Sequence, residues 1–314
     1  MILIIMGYCI IILLTIFLKM RRQKIVDKRM KGIILIILAA FSCACMNAFI
    51  KGASGIPLGE KVFYRNIMLF VVSLIMIAKN KSSLFGHKGN RIALIGRGAF
   101  GTIGILLGYY ALSHMLLPNE TVLSDLNIFF IIIFSFIFLK EKVNIIQIIA
   151  IVIAFIGILF IVHPGGSVPI IPAIVTIISA ALSGGAYTII RGLRAKESPE
   201  TIVFFLALVS LAFTVPSMMF NYVTPNFHQM LCLLGAGCGI AGFEVCGTIA
   251  YKYAAGKEIS IFGYTEVLFA AIISLAVWGE LPQVIAYIGY ALIIVGAIIV
   301  FLYDRSLYRK KKTT

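Results

Sequence analysis

Charge is scarce in this chain. Only 12% of its residues are charged, and only 12 of its 314 residues are Asp or Glu. A soluble domain carries about twice that charged fraction. Polar stretches long enough to build a separate soluble domain are also missing between the apolar runs. These absences exclude a water-soluble enzyme or binding module. What remains is apolar: 61% of the residues are hydrophobic and the mean hydropathy is +1.07. Lipid is therefore the solvent, and the whole chain reads as one all-α integral membrane protein with the lipid bilayer as its first partner.

Catalytic and ligand motifs are missing as well. No HExxH, GxSxG or Walker A sequence occurs. Gly237, Gly239 and Gly242 match GxGxxG, but inside an apolar run rather than after a strand, so no dinucleotide site is read there. His87, His114, His163 and His228 fall in loops or at helix ends without metal-ligand spacing. The six cysteines (Cys9, Cys43, Cys45, Cys232, Cys238, Cys246) sit in apolar runs without a CxxC pair and read as small buried hydrophobes. The chain is thus expected not to be an enzyme and to need no cofactor and no metal. A polytopic membrane enzyme stays the alternative from another class, and lacks a catalytic constellation here. A receptor or scaffold is the other alternative, and needs a soluble loop or tail that this chain does not offer. Without an ATP-hydrolysing domain, any transport is passive or coupled to an ion gradient, protons included.

Ten apolar runs are long enough to span a bilayer, at 32–50, 62–78, 92–113, 120–139, 143–162, 169–190, 201–219, 229–251, 260–278 and 283–303. The net charge of +15 is not a nucleic-acid surface, because 22 of the 27 Lys and Arg residues cluster in alternate connections. That is the positive-inside pattern, and it predicts a multi-pass protein of the cytoplasmic membrane whose C-terminal tail, 304–314, is cytoplasmic. No nucleic-acid partner follows from it. Residues 1–31 form a further hydrophobic segment and a basic linker. Three readings of that segment stay open: an eleventh helix, a signal-like segment, or translation starting at Met20 or Met30.

The chain also repeats itself. Residues 108–162 align without a gap with 247–301 at an offset of 139, so that Gly108 matches Gly247, Ser135 matches Ser274 and Glu141 matches Glu280. At offset 140, Ala40, Lys51 and Gly52 match Ala180, Arg191 and Gly192. Five helices per half invert the second half relative to the first. The expected architecture is ten helices as two inverted repeats, at 32–163 and 169–303, with a site at their interface.

Particular stretches carry a resemblance. The run "LSDLNIFFIIIFSFIFLKEKV" at 123–143, followed by "IGILFIVHP", and its second copy "YTEVLFAAIISLAVWGELP" with "YIGYALIIVGAIIVFL", resemble the end of an EamA domain. "FYRN" at 63–66 and "RGAFGTIGILLGYYAL" at 97–112 resemble its second and third helices. Over residues 32–303 the chain resembles a two-EamA member of the drug/metabolite transporter superfamily. The resemblance implies a central cavity, alternating access and a small-molecule substrate such as an amino acid, nucleoside, vitamin or drug.

Ionisable residues inside a bilayer cost about 2.5–3.5 kcal/mol each on insertion scales, so each needs a reason. Arg65, Arg97, Asp125, Glu244 and Glu266 stand out. Counted along their helices at 1.5 Å per residue, Arg97, Glu244 and Glu266 are expected at one level near the cytoplasmic side, and Arg65 with Asp125 at an outer level. Glu244 and Glu266 repel in low dielectric, a physical route to proton coupling. Asn127 is the counterpart of Glu266, so both are expected to face the cavity; a neutral group opposite a carboxylate suits a cationic or zwitterionic substrate. Tyr109, Tyr110, Tyr187 and Tyr264 are candidate stacking partners. Glu141 and Glu280, at helix ends, read as structural. A homodimer stays an open alternative.

Overall fold

The structure, a computed structural model, describes residues 28–162, 168–193, 197–253 and 259–313. The N-terminal segment 1–27 and His163 lie outside the described residues. The elements are α1 (Lys28–Gly52), α2 (Leu58–Asn80), α3 (Arg91–Leu112), α4 (Leu117–Ser124), α5 (Asn127–Leu139) and α6 (Ile145–Ile161). They are followed by α7 (Ile170–Leu193), α8 (Pro199–Asn221), α9 (Phe227–Tyr253), α10 (Thr265–Trp278) and α11 (Val284–Thr313). Among the described residues there is no strand. Among the same residues nine helical segments are long and apolar enough to cross a membrane, with α4 and α5 counted as one, and α6 is a shorter apolar helix of 17 residues. This is the all-α, two-repeat architecture expected from the sequence.

Local chemistry sets the helix ends. Asn144 caps α6 in a capping box: its side chain accepts from Ile146 N at 3.1 Å, and its own N–H donates to Gln147 Oε1 at 3.1 Å. Pro199 follows the Ser198 cap of α8. Lys140 (φ 53°) and its counterpart Gly279 (φ 67°) close α5 and α10 in the left-handed region, which favours glycine.

The structure refines two of the expected spans. The runs 120–139 and 260–278 are not uniform α-helices. In the first, the backbone tightens between α4 and α5: Leu126 N–H donates to Leu123 O and Ile128 N–H to Asp125 O, both at 3.3 Å. In the second, a 3-10 turn at Ser260–Tyr264 leads into α10. The offset of 139 carries Asp125–Leu126 onto Tyr264–Thr265, so the two interruptions are counterparts. A mid-helix 3-10 stretch is a recurrent functional hinge.

The major packing runs between the halves, and each contact has its counterpart. α1 packs on α9 as α7 packs on α3; α10 packs on α1 as α5 packs on α7; α6 packs on α11, and α2 on α8. Small residues permit the close crossings. A Cβ added at Gly157 would lie 2.9 Å from Gly289 O, and one added at Gly296 would lie 2.9 Å from Ala150 O. Gly157 is the counterpart of Gly296, and Ala150 of Gly289, so one crossing geometry is used twice. The GxGxxG match has the same role: Cβ atoms at Gly237, Gly239 and Gly242 would meet Met68, Met46 and Ser42.

Two ion pairs join the halves at opposite ends. Lys51 Nζ lies 2.7 Å from Glu280 Oε2, and Arg191 Nη2 lies 2.7 Å from Glu141 Oε2. Lys51 corresponds to Arg191 and Glu141 to Glu280, so each pair is the symmetry image of the other. The Arg191–Glu141 end also carries the basic connections at 79–91 and 140–142, and is called here the basic side; the Lys51–Glu280 end is the far side.

Candidate functional site

Two cavities lie among the helices, and Tyr187 and Phe243 line both. The central cavity has a volume of about 330 Å³. Six pairs of repeat counterparts line it: Cys43 and Ser183, Asn47 and Tyr187, Gly104 and Phe243, Ser124 and Gly263, Asp125 and Tyr264, Asn127 and Glu266. The cavity therefore sits on the pseudo-two-fold axis, and the two helix interruptions deliver Asp125, Gly263 and Tyr264 to it.

Sequence spacing explains how the helices come close enough to enclose it. On α3, a Cβ at Gly104 would lie 3.1 Å from Ser183 Oγ, and one at Gly108 would lie 3.2 Å from Ser179 Oγ. Ser179 Oγ also donates to Gly104 O at 2.7 Å, tying α7 to α3. These glycines bring α7 against α3 and leave room for side chains from α1, α4 and α10.

The central cavity is rich in carboxylates. Glu120, Asp125 and Glu266 line it, with Arg65 as the one cationic side chain among the described residues. Glu120 is 6% exposed and Arg65 7%. Ser124 Oγ donates to Glu120 Oε1 at 2.6 Å, and Asn47 Nδ2 donates to Glu266 Oε1 at 3.3 Å. Arg65 donates through Nη1 to Asn66 Oδ1 at 2.8 Å and through Nε to Met46 Sδ at 3.4 Å. Among the described residues it has no carboxylate within the 4.0 Å of an ion pair. Tyr264 Oη is buried without a hydrogen-bond partner.

The second cavity, of about 430 Å³, lies toward the basic side and is lined by Arg97, Glu244, Gly247 and Thr248 together with residues of α7 and α8. At its rim Glu197 accepts from Asn90 Nδ2 at 2.8 Å and from His87 N at 2.8 Å, and contacts the His87 ring at 3.2 Å. Burial pushes the Glu197 carboxyl up, but the Asn90 and His87 donors outweigh it and hold the group below its ordinary value.

The structure redistributes the residues singled out from the sequence. Asp125, Asn127, Tyr187, Tyr264 and Glu266 meet in the central cavity, and Arg97 and Glu244 face the basic-side cavity. Glu266 is thus not grouped with Arg97 and Glu244 at one level, as helix counting suggested. It joins Arg65 and Asp125, because the 3-10 turn places it in the first turn of α10, against α1. Tyr110 is corrected too: its ring packs on His114 with centroids 4.4 Å apart, and it lines neither cavity. Neighbouring positions on a helix point in different directions, and it is Tyr109 that turns inward. Glu120 was missed because the apolar run was taken to start there, at the membrane surface. The helix starts at Leu117, one turn earlier, and the Glu120–Ser124 spacing of four was the available signal.

The far side of the central cavity is plugged where the basic side is not. Met46 and Tyr109 are each 5% exposed, with Tyr109 Oη 3.9 Å from Met46 Sδ. Their counterparts toward the basic side are the smaller Ala186 and Thr248. Continuing the offset along α3 and α9, where Gly96, Gly98 and Gly108 match Gly235, Gly237 and Gly247, sets Arg97 against Ala236 and Glu244 against Ile105. Ala236, and Ile50 opposite Ile190, are fully buried. Two lining positions of the basic-side cavity, Arg97 and Ile190, therefore have fully buried apolar counterparts on the far side.

Comparison with known proteins agrees with this architecture. The sequence profile of the EamA-like transporter family matches residues 30–163 and again 170–302. The pseudopaline exporter CntI of Pseudomonas aeruginosa is 27% identical over 277 residues, covering 87% of this chain and 97% of its own. The riboflavin transporter of Brucella anthropi is 24% identical, covering 82% and 92%. Solute carrier family 35 member G1 of Mus musculus is 31% identical over a shorter stretch, 42% of this chain and 36% of its own. A solved crystal structure shares the fold with a TM-score of 0.61 at 15% identity, covering 88% of this chain and 98% of its own. A profile that matches twice, on two halves that pack as images of each other, identifies the family: the chain belongs to the EamA-like transporters and is a multi-pass membrane protein of the drug/metabolite transporter superfamily.

Proposed function

We propose that the protein is a secondary transporter that carries a small polar organic molecule with a positively charged group, a cation or a zwitterion, across the cytoplasmic membrane by alternating access. The charge imbalance of the central cavity carries this reading. Three carboxylates face one guanidinium in a cavity set among apolar helices. Uncompensated negative charge in low dielectric is costly, and a substrate cation or a proton relieves it. Tyr264 Oη supplies a hydrogen-bonding group with no protein partner, and Tyr187 an aromatic face.

Alternating access is supported by the unequal ends of the axis. The plugged far side and the cavity on the basic side are two versions of one repeat interface, and exchanging their roles reverses the opening. The positive-inside distribution supports a cytoplasmic basic side and C-terminus. Proton coupling is better served by Glu266 with Asp125 and Glu120, which share one cavity, than by Glu244 with Glu266, which do not. Binding the substrate cation and binding a proton then relieve the same excess charge, so the two compete.

The test has two steps. A thermal-shift screen against amino acids, nucleosides, vitamins and organic cations finds a ligand, since binding to the folded state raises Tm. Flux of that ligand is then measured in proteoliposomes under an imposed pH gradient. Glu266→Gln and Asp125→Asn are expected to abolish the response to the gradient. Unchanged dependence in both variants would sink the coupling; absence of any flux with the parent protein would sink the transport reading.

A further inference from the structure

We infer that the basic-side cavity is a second ligand site, built for a zwitterion with an apolar body, and distinct from the central cavity. The inference goes beyond the transport reading and is tested by binding alone. Arg97 and Glu244 line the same cavity but do not form an ion pair within 4.0 Å among the described residues. Arg97 is 7% exposed, and its Nε is buried without a hydrogen-bond partner. Gly101 makes room for it, since a Cβ there would lie 3.0 Å from Arg97 Nη1. A buried guanidinium with an unsatisfied donor invites a carboxylate, and bidentate pairing suits arginine. Glu244 offers the complementary acceptor for an ammonium group.

The walls supply the rest of the specificity. Tyr187 and Phe243 give aromatic faces, and Ile202 and Val203 an apolar floor. The volume of about 430 Å³ lies within the range of small-molecule pockets. An α-amino acid with an aromatic or branched apolar side chain meets both demands. The charges are also not imposed by the fold, because the repeat counterparts of Arg97 and Glu244 are Ala236 and Ile105. The fold tolerates apolar residues at those positions, so the pair is a property of this cavity and not of the helix packing.

Gly247 provides a clean handle. A Cβ added there meets no protein atom within 4 Å, although the residue lines the cavity. Binding of L-phenylalanine to the purified full chain in lipid nanodiscs would be measured by saturation-transfer NMR, beside phenethylamine and 3-phenylpropionate. The zwitterion is expected to bind, and each singly charged analogue to bind at least tenfold more weakly. Arg97→Gln and Glu244→Gln should each weaken L-phenylalanine roughly 10- to 100-fold, the loss of one charged hydrogen bond. Gly247→Val should remove binding without lowering Tm. The proposal is overturned by any of three results: no saturable L-phenylalanine binding, equal binding of the analogues, or binding lost in Glu266→Gln and kept in Arg97→Gln. The last would place the ligand in the central cavity.

Discussion

The two cavities share Tyr187 and Phe243 yet differ in symmetry and charge. The central one is assembled from repeat counterparts, and its carboxylates outnumber its one guanidinium. The basic-side one sets Arg97 against Glu244, whose counterparts Ala236 and Ile105 are apolar, with Glu197 at its rim. An axis forces both halves to contribute, so chemistry there comes from divergence between counterparts, as with Asn127 and Glu266. Away from the axis one half can change freely. Position relative to the axis thus separates what the duplication constrains from what it leaves open.

The largest expected effect breaks the charge balance. Arg65→Gln removes the cation facing three carboxylates, together with its bonds to Asn66 and Met46, and is expected to destabilise the protein by roughly 3 kcal/mol near neutral pH. Arg97→Gln, which leaves one carboxylate without its opposite charge, should cost less. Thermal unfolding in one detergent compares them; a larger loss in Arg97→Gln would reverse the contrast drawn between the cavities. Lowering the pH should restore part of the Arg65→Gln loss, because protonated carboxylates no longer need the cation.

Next comes the crossing of α6 and α11, which holds the halves together away from both cavities. Gly157→Val drives side-chain atoms into Gly289 O and should cost about 1–3 kcal/mol by overpacking. Gly263→Val is the contrast, because a Cβ there meets nothing within 4 Å while the residue lines the central cavity. It should leave Tm nearly unchanged and block flux. A Tm loss equal to that of Gly157→Val would mean that the cavity wall is packed after all.

The paired clasps sharpen the difference between the plugged and unplugged ends. The Lys51 side chain is 14% exposed and lies 4.9 Å from the Trp278 ring, whereas the Arg191 and Glu141 side chains are 44% and 40% exposed. A double-mutant cycle should give about 1 kcal/mol for Lys51–Glu280 and a few tenths for Arg191–Glu141. Equal couplings would show that the ends are held alike.

The smallest effect concerns Glu197 at the rim. Its carboxyl is held below its ordinary value in the folded protein. Its contribution to stability is therefore present above the unfolded carboxylate value, about 4.3, and is lost as pH falls through the lower folded one. The Tm difference between the parent and Glu197→Gln should shrink over that window; a difference independent of pH would remove the ionised carboxylate from the explanation.

Much of this was legible in one dimension. Apolar run lengths counted the spans, basic clusters distinguished the two sides, and the offset of 139 exposed the duplication, because bilayer thickness and gene repetition both act along the chain. Asn127 and Glu266 could be placed at the cavity by symmetry alone. Tyr109 against Tyr110 could not be resolved, since helix azimuth depends on the neighbour a helix chooses. The sequence by itself determined the solvent, the number of helices and the inverted pairing of the halves. Only the tertiary structure decided which charges share a cavity. The 3-10 turns before α5 and α10 reset depth and facing by local hydrogen bonding, and the contacts across the axis then brought Glu120, Asp125 and Glu266 around one space while leaving Glu244 with Arg97.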